Sequence, residues 1–137
     1  MKYIVLLRGI NISGKNKIAM SELKNSLESN NYSDVITYLN SGNVILTSGN
    51  SIEYIVDDIK TLIKKNFNLE IPVYAIEHLE LKDILEHNPN WWGTNNKEIY
   101  DNIIFVMPPI SSKDVFDSEM NNFLNKSAFN KLVIFPP

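Results

Sequence analysis

The chain has 137 residues, 44% of them hydrophobic and 21% charged, with 13 Lys and Arg against 16 Asp and Glu for a net charge of −3. That length supports one sizeable core or two small subdomains, and the acidic balance removes any general attraction to nucleic acid, leaving only a local basic loop as a route to it. The absence of cysteine excludes disulfides, thiolate metal sites and a cysteine nucleophile and fits a reducing compartment.

Tyr3 to Leu7 is a continuous apolar run of strand formers, as in a strand central to its sheet. The stretch Arg8 to Lys17 follows, with two of the five glycines and the only arginine beside twelve lysines. Met20, Leu23 and Leu27 recur at helical spacing and predict a short helix from about Ala19 to Ser29, ended by Asn30 and Asn31. Val35 to Leu39 and Val44 to Thr47 read as a hairpin around Asn40-Ser41-Gly42. Asn50 followed by Glu53 has capping-box spacing. It precedes an apolar stripe of Ile52, Ile55, Val56, Ile59, Leu62 and Ile63. Ile71 to Ile76 is a fourth strand, with Pro72 suited to a sheet edge.

Strand, helix, strand, strand, helix, strand is the ferredoxin-like split βαβ order. The fold class is therefore α+β, with an antiparallel sheet in the order 4-1-3-2 and both helices on one face. This reading assigns residues 1–77 to a ferredoxin-like domain. Residues 78–137 form a smaller, incomplete αβαβ subdomain packed on or beside the first. It comprises a helix at Leu79 to Glu86 with Leu81, Ile84 and Leu85, a polar loop around Trp91 and Trp92, and a strand at Ile103 to Met107 ended by Pro108 and Pro109. A helix capped by Ser112 carries Val115, Phe116, Met120, Phe123 and Leu124, and a last strand runs from Leu132 to Phe135 before Pro136 and Pro137.

In this topology the end of strand one lies beside the start of strand three. Two glycine turns therefore converge, bringing Arg8, Gly9, Asn11, Ser13, Gly14, Lys15, Asn16 and Lys17 together with Asn40, Ser41, Gly42 and Asn43. The cluster is rich in donors and poor in acids. Arg8 can grip a phosphate or carboxylate with two parallel bonds. Gly9 and Gly14 let backbone N–H groups approach a ligand, Lys15 and Lys17 add charge, and the following helix offers its N-terminus. The spacing is neither a Walker loop nor a dinucleotide fingerprint. Two readings stay open: a site for an anionic small molecule, or solvated turns with Arg8 paired to a carboxylate.

Other candidates are weaker. His78 and His87, nine residues apart on one short helix, would point to opposite sides, so no metal site is expected. Asp57 and Asp58 read as a solvated helix face. One of Trp91 and Trp92 is expected to anchor its loop, the other to meet a partner. No nucleophile–base arrangement is identifiable, so catalytic residues stay unassigned. No cofactor is implied. Apolar runs are strand-sized, so no membrane span is expected, and Met1 to Arg8 is too short and too soon interrupted for a signal peptide. A cytoplasmic location follows as the default. Oligomeric state is not legible.

The segments Leu6-Leu7-Arg8-Gly9-Ile10-Asn11, Gly14-Lys15-Asn16, Met20-Ser21-Glu22-Leu23 and Thr37-Tyr38-Leu39-Asn40-Ser41-Gly42-Asn43-Val44 resemble, in order, the pattern of the bacterial family catalogued as domain of unknown function 1697. The likeness is dense over about the first half. Ser13 stands where the family usually has glycine and Asn40 where it usually has glutamine. The resemblance implies a small cytosolic α+β protein with a ferredoxin-like part and no established activity. It also implies a further C-terminal segment with basic, Asn and Trp residues, which this chain lacks at Pro137. On the residues alone, the leading expectation is binding of a phosphorylated or carboxylated small ligand, a nucleotide among them. The alternatives are an RNA-binding module or a protein-interaction module without catalysis.

Overall fold

A computed structural model describes residues 1–90, 92–93, 100–107, 109–111, 113–115, 117–118 and 130–135. The chain divides into two compact units, Met1–Glu86 and His87–Pro137.

The first unit grows from the apolar run at the N-terminus. Strand geometry sends alternate side chains of β1 (Lys2–Leu7) to opposite faces. Tyr3, Val5 and Leu7 are buried, while Ile4 and Leu6 are half-buried. β1 sits inside a four-stranded antiparallel sheet with β2 (Ser33–Tyr38), β3 (Asn43–Thr47) and β4 (Val73–Glu77), in the order β2-β3-β1-β4. This is the expected 4-1-3-2 order read from the other edge. β4 is an edge strand, which leaves room for Pro72 just before it.

Helices α1 (Met20–Ser29) and α2 (Ile52–Phe67) supply the opposing layer. Leu23 and Leu27 from α1 join Ile55, Ile59 and Ile63 from α2 against Val5, Leu7, Val44 and Leu46. Each aliphatic side chain buried in this way contributes about 1.5–3 kcal/mol. The cap of α2 is Ser51, not the expected Asn50. The Ser51 side chain accepts the Tyr54 amide at 3.3 Å. Asn50 is held out of the cap, its amide bonded to the Ser48 hydroxyl and its carbonyl to the Tyr3 hydroxyl. The Glu53 carboxyl is held below its usual range by its own backbone amide and by the Ser51 hydroxyl. Asn68, left-handed at φ 54°, ends α2. The end of α1 is tied to α2 through Asp58, which accepts from the Asn30 side chain at 2.7 Å and from the Tyr32 hydroxyl at 2.8 Å.

α3 (His78–Glu86) follows β4 without a break and packs on β4 and β1, so the division of the chain falls after this helix, nine residues beyond the boundary expected at 77. Leu81 and Ile84 are half-buried, but Leu85 is exposed and no residue of α3 is fully buried.

In the second unit, β5 (Tyr100–Phe105) and β6 (Asn130–Phe135) pair in parallel, from Tyr100 opposite Asn130 to Phe105 opposite Phe135. Residues 113–115 and 117–118 between them are helical. The expected strands at Ile103–Met107 and Leu132–Phe135 are thus present with shifted limits. Trp91, residues 94–97, Pro108, Ser112, Phe116, Met120, Phe123, Leu124, Pro136 and Pro137 lie outside the described residues.

Candidate functional site

The loop after β1 is a small hairpin of its own. Ser13 and Gly14 both have positive φ, 50° and 76°, and the Lys15 amide donates to the Ile12 carbonyl at 2.9 Å. That is a two-residue turn in which both central residues are left-handed. Below it, the Asn11 amide donates to the Asn16 carbonyl at 3.0 Å and the Asn16 side chain to the Gly9 carbonyl at 2.9 Å. Asn11, Asn16 and Gly9 also have positive φ. Ile10 and Ile18, both buried, fix the two ends of the loop in the core.

Asn11 joins this hairpin to the β2–β3 turn. Its carboxamide oxygen accepts the Ile18 amide, and its nitrogen donates to the carbonyls of Ile18 and Asn40, all at 2.9 Å. Gly42 closes the junction from the other side. Its carbonyl accepts the Leu7 amide at 2.9 Å. At φ +86° it is buried, and a Cβ there would lie 2.7 Å from the Leu7 Cβ and 2.9 Å from the Leu7 carbonyl oxygen. Asn43 holds the turn itself, donating to the Ser41 hydroxyl at 2.8 Å and the Tyr38 carbonyl at 3.2 Å. The two glycine turns therefore meet. Much of the polar chemistry that the sequence offers to a ligand is spent on building the meeting point. Asn11, Asn16, Gly42 and Asn43 hold backbone in place.

Arg8, Lys15 and Lys17 stand differently. All three are exposed. Among the described residues none has a hydrogen-bonding or ion-pair partner for its side chain. Ion pairs lie elsewhere among the described residues, as at Lys24–Glu28, Lys64–Glu70, Lys82–Glu86 and Lys113–Asp117. The Lys64 ammonium holds the Glu70 carboxyl below its usual range, which leaves the acid of the connection between α2 and β4 already engaged. The first 21 residues contain Lys2, Arg8, Lys15 and Lys17 and no Asp or Glu.

A cavity of about 430 Å³ opens here, lined by Asn11, Gly14, Lys17, Ile18, Ala19 and Asn40. Four of these belong to the expected cluster. Arg8, Gly9, Lys15, Ser41, Gly42 and Asn43 are near it in the chain but do not line it. Ile18 and Ala19 were not expected. They bring the start of α1 to the cavity, and Ala19, as N-cap, carries no side-chain cap for the helix amides. Their only sequence signal is the absence of Ser, Thr, Asp or Asn at that position. A second cavity, about 500 Å³, lies between the C-terminal halves of α1 and α2, with Asn25, Ser26, Ser29, Asp58, Thr61 and Lys65 among its lining residues. Its acid, Asp58, is already held by Asn30 and Tyr32.

His78 opens α3 and His87 follows its end. Among the described residues no group of three or more His, Cys, Asp or Glu stands close enough to hold a metal ion. No helix of the described residues is long and apolar enough to cross a membrane. Trp92 is half-buried, its amide donating to the Pro89 carbonyl at 2.8 Å.

The family described as "Protein of unknown function (DUF1697)" matches residues 1–130. The chain belongs to this family. The DUF1697 match thus extends through the second unit, well past the dense motifs of the first half. Among curated proteins none matches. Among solved structures, the DUF1697 chain is similar to one described as conserved bacterial protein SP0830 from Streptococcus pneumoniae, with a TM-score of 0.73 and 26% identity. The similarity covers 87% of this chain and 65% of that one, so the DUF1697 chain spans less than two thirds of that neighbour's length.

Proposed function

We propose that this DUF1697 chain binds a small anion, a phosphorylated or carboxylated compound, at the junction of its two glycine turns. The observation that carries the reading is the group of Arg8, Lys15 and Lys17, exposed and without a carboxylate partner among the described residues, of which Lys17 lines the cavity of about 430 Å³. Supporting it, the amides of Ser13 and Gly14 have no acceptor among the described residues, and the start of α1 is uncapped by any side chain. Left-handed turns that present successive amides, and helix starts, both favour negative charge. In this reading Arg8 is the principal contact, Lys15 and Lys17 add charge, and Ser41 and Asn40 border the ligand. Asn11, Asn43 and Gly42 serve by fixing the two turns. A bacterial, cytoplasmic setting agrees with the cysteine-free chain and the bacterial neighbour.

Thermal denaturation with inorganic phosphate, pyrophosphate and citrate tests this. At about ten times its Kd a ligand stabilises the chain by about 1.4 kcal/mol, a shift of several degrees for a domain of this size. The shift is expected for the unaltered chain and absent for Arg8→Ala. A chain that no anion stabilises would end the proposal. A second reading, a protein-interaction module, is supported by the exposed apolar side chains Ile12, Tyr38 and Leu39 in and beside the two glycine turns. Concentration-dependent light scattering would favour it.

A further inference from the structure

The face of the sheet opposite α1 and α2 carries its own pattern. The strand register sets Tyr38 of β2 opposite Asn43 of β3, Asn43 opposite Leu6 of β1, and Leu6 opposite Tyr74 of β4. These four side chains form one row across the sheet on the face away from α1 and α2, with α3 packed on β4 and β1. Continuing the alternation of β1 by two residues, Arg8 follows Leu6 on this face, its amide still held by the Pro72 carbonyl at 3.0 Å. Tyr38 is 63% exposed, a large aromatic surface left open at the end of the sheet where the glycine turns meet. No hydrogen bond to its hydroxyl is made by the described residues. The row itself holds no carboxylate. Glu80 of α3 acts on Tyr74, at the opposite edge.

We infer that the anion bound at the glycine turns is the phosphate of a nucleotide whose base stacks on Tyr38. The inference rests on the anion-binding reading above and adds the other half of the ligand. Tyr38 and Leu6 are two strand spacings apart, roughly 10 Å, and Arg8 lies one further row toward the loop. A nucleotide spans that interval with its base on the tyrosine ring, its sugar over Asn43 and its phosphates toward Arg8, Lys15 and Lys17. Stacking suits an exposed ring because every base has a π-face, and it adds binding without demanding a particular base. Cations and an open aromatic on a face without acids in that row complement such a ligand in both charge and shape. The same chemistry is offered by a free nucleotide and by the 5′ end of a single strand.

Calorimetric titration of the whole chain separates the parts. The probes are tripolyphosphate, adenosine triphosphate, adenosine, and a 5′-phosphorylated oligonucleotide of a few residues. The nucleotide is expected to bind roughly tenfold or more tightly than tripolyphosphate, the scale of one stacked base. Tyr38→Ala should remove that advantage and leave tripolyphosphate binding intact. Tyr38→Phe should keep it, and Arg8→Ala should weaken both ligands. Because Tyr38 is exposed, neither substitution threatens the fold. If tripolyphosphate binds and the nucleotide binds no more tightly, the inference is overturned while the anion site stands. If neither binds, both are overturned. An oligonucleotide that binds more tightly than the mononucleotide, with the same dependence on Tyr38, assigns the ligand to a strand. Equal binding assigns it to a free nucleotide. Either result upholds the inference.

Discussion

Gly42 and Asn11 carry the junction of the two turns, and they do so by different physics. Gly42 is needed for its missing Cβ. At φ +86°, with Leu7 and Ile10 packed against the space a Cβ would fill, alanine faces both backbone strain and overlap. Gly42→Ala is expected to lower stability by about 2–4 kcal/mol, combining the cost of a left-handed residue with that of overpacking. Gly9 is also left-handed, but a Cβ there meets nothing within 4 Å. Gly9→Ala should therefore cost only about 1 kcal/mol. Urea unfolding of both variants checks the ordering, and equal losses would show that the packing at Gly42 is not what matters. Asn11 marks a limit of reading residues from sequence. A loop asparagine beside glycines looks the same whether it faces a ligand or braces a turn. Only the three bonds to Ile18 and Asn40 reveal the second role. Arg8, by contrast, stood out from composition alone, because the chain uses lysine at every other cationic position.

At the scale of elements, the order and pairing of β1 to β4 followed from the sequence because apolar runs, turn residues and the helical stripe all agree on one topology, whereas the parallel pairing of β5 with β6 did not. What escaped was local. The cap of α2 falls at Ser51 because Tyr3 and Ser48 hold Asn50. The register of β2 slips between Ser33 and Ile36, with Asp34 at φ 51°. Such irregularity leaves no periodic trace. The tether between α1 and α2 is another long-range contact that spacing could not show. Burial, then the hydrogen bond and charge of Asp58, and then the neighbouring Tyr54, push the Tyr32 hydroxyl well above its usual range. The folded state thus keeps a proton that the unfolded state loses near pH 10. This contribution is fully present below about pH 10 and falls above it by about 1.4 kcal/mol per pH unit. Tyr32→Phe should cost about 1–2 kcal/mol at neutral pH and flatten the alkaline loss of stability. Urea unfolding from pH 8 to 11 measures both, and parallel alkaline slopes in the two proteins would contradict the tether.

For the molecule as a whole, net charge misleads about the site. The chain is acidic at −3, yet its first 21 residues carry four cations and no acid, and the fold gathers three of those cations at one end of the sheet. Charge separation of this kind gives a local field for an anion without general affinity for polyanions. At the scale of the whole chain the family membership was legible in a few motifs of the first half. The extent of the match, residues 1–130, was not, because the second unit offers only short apolar runs to compare. The chain spans 65% of the length of the similar solved structure. The local field has a direct readout in the backbone amides of the loop. In a ¹⁵N-labelled sample titrated with inorganic phosphate at low ionic strength, saturable shifts are predicted for the amides of Ile12, Ser13, Gly14 and Lys15 and for those of Asn40 and Ser41. The same resonances should stay fixed in Arg8→Ala. Shifts that appear instead along the cavity between α1 and α2, or no saturable shift at any site, would contradict the account.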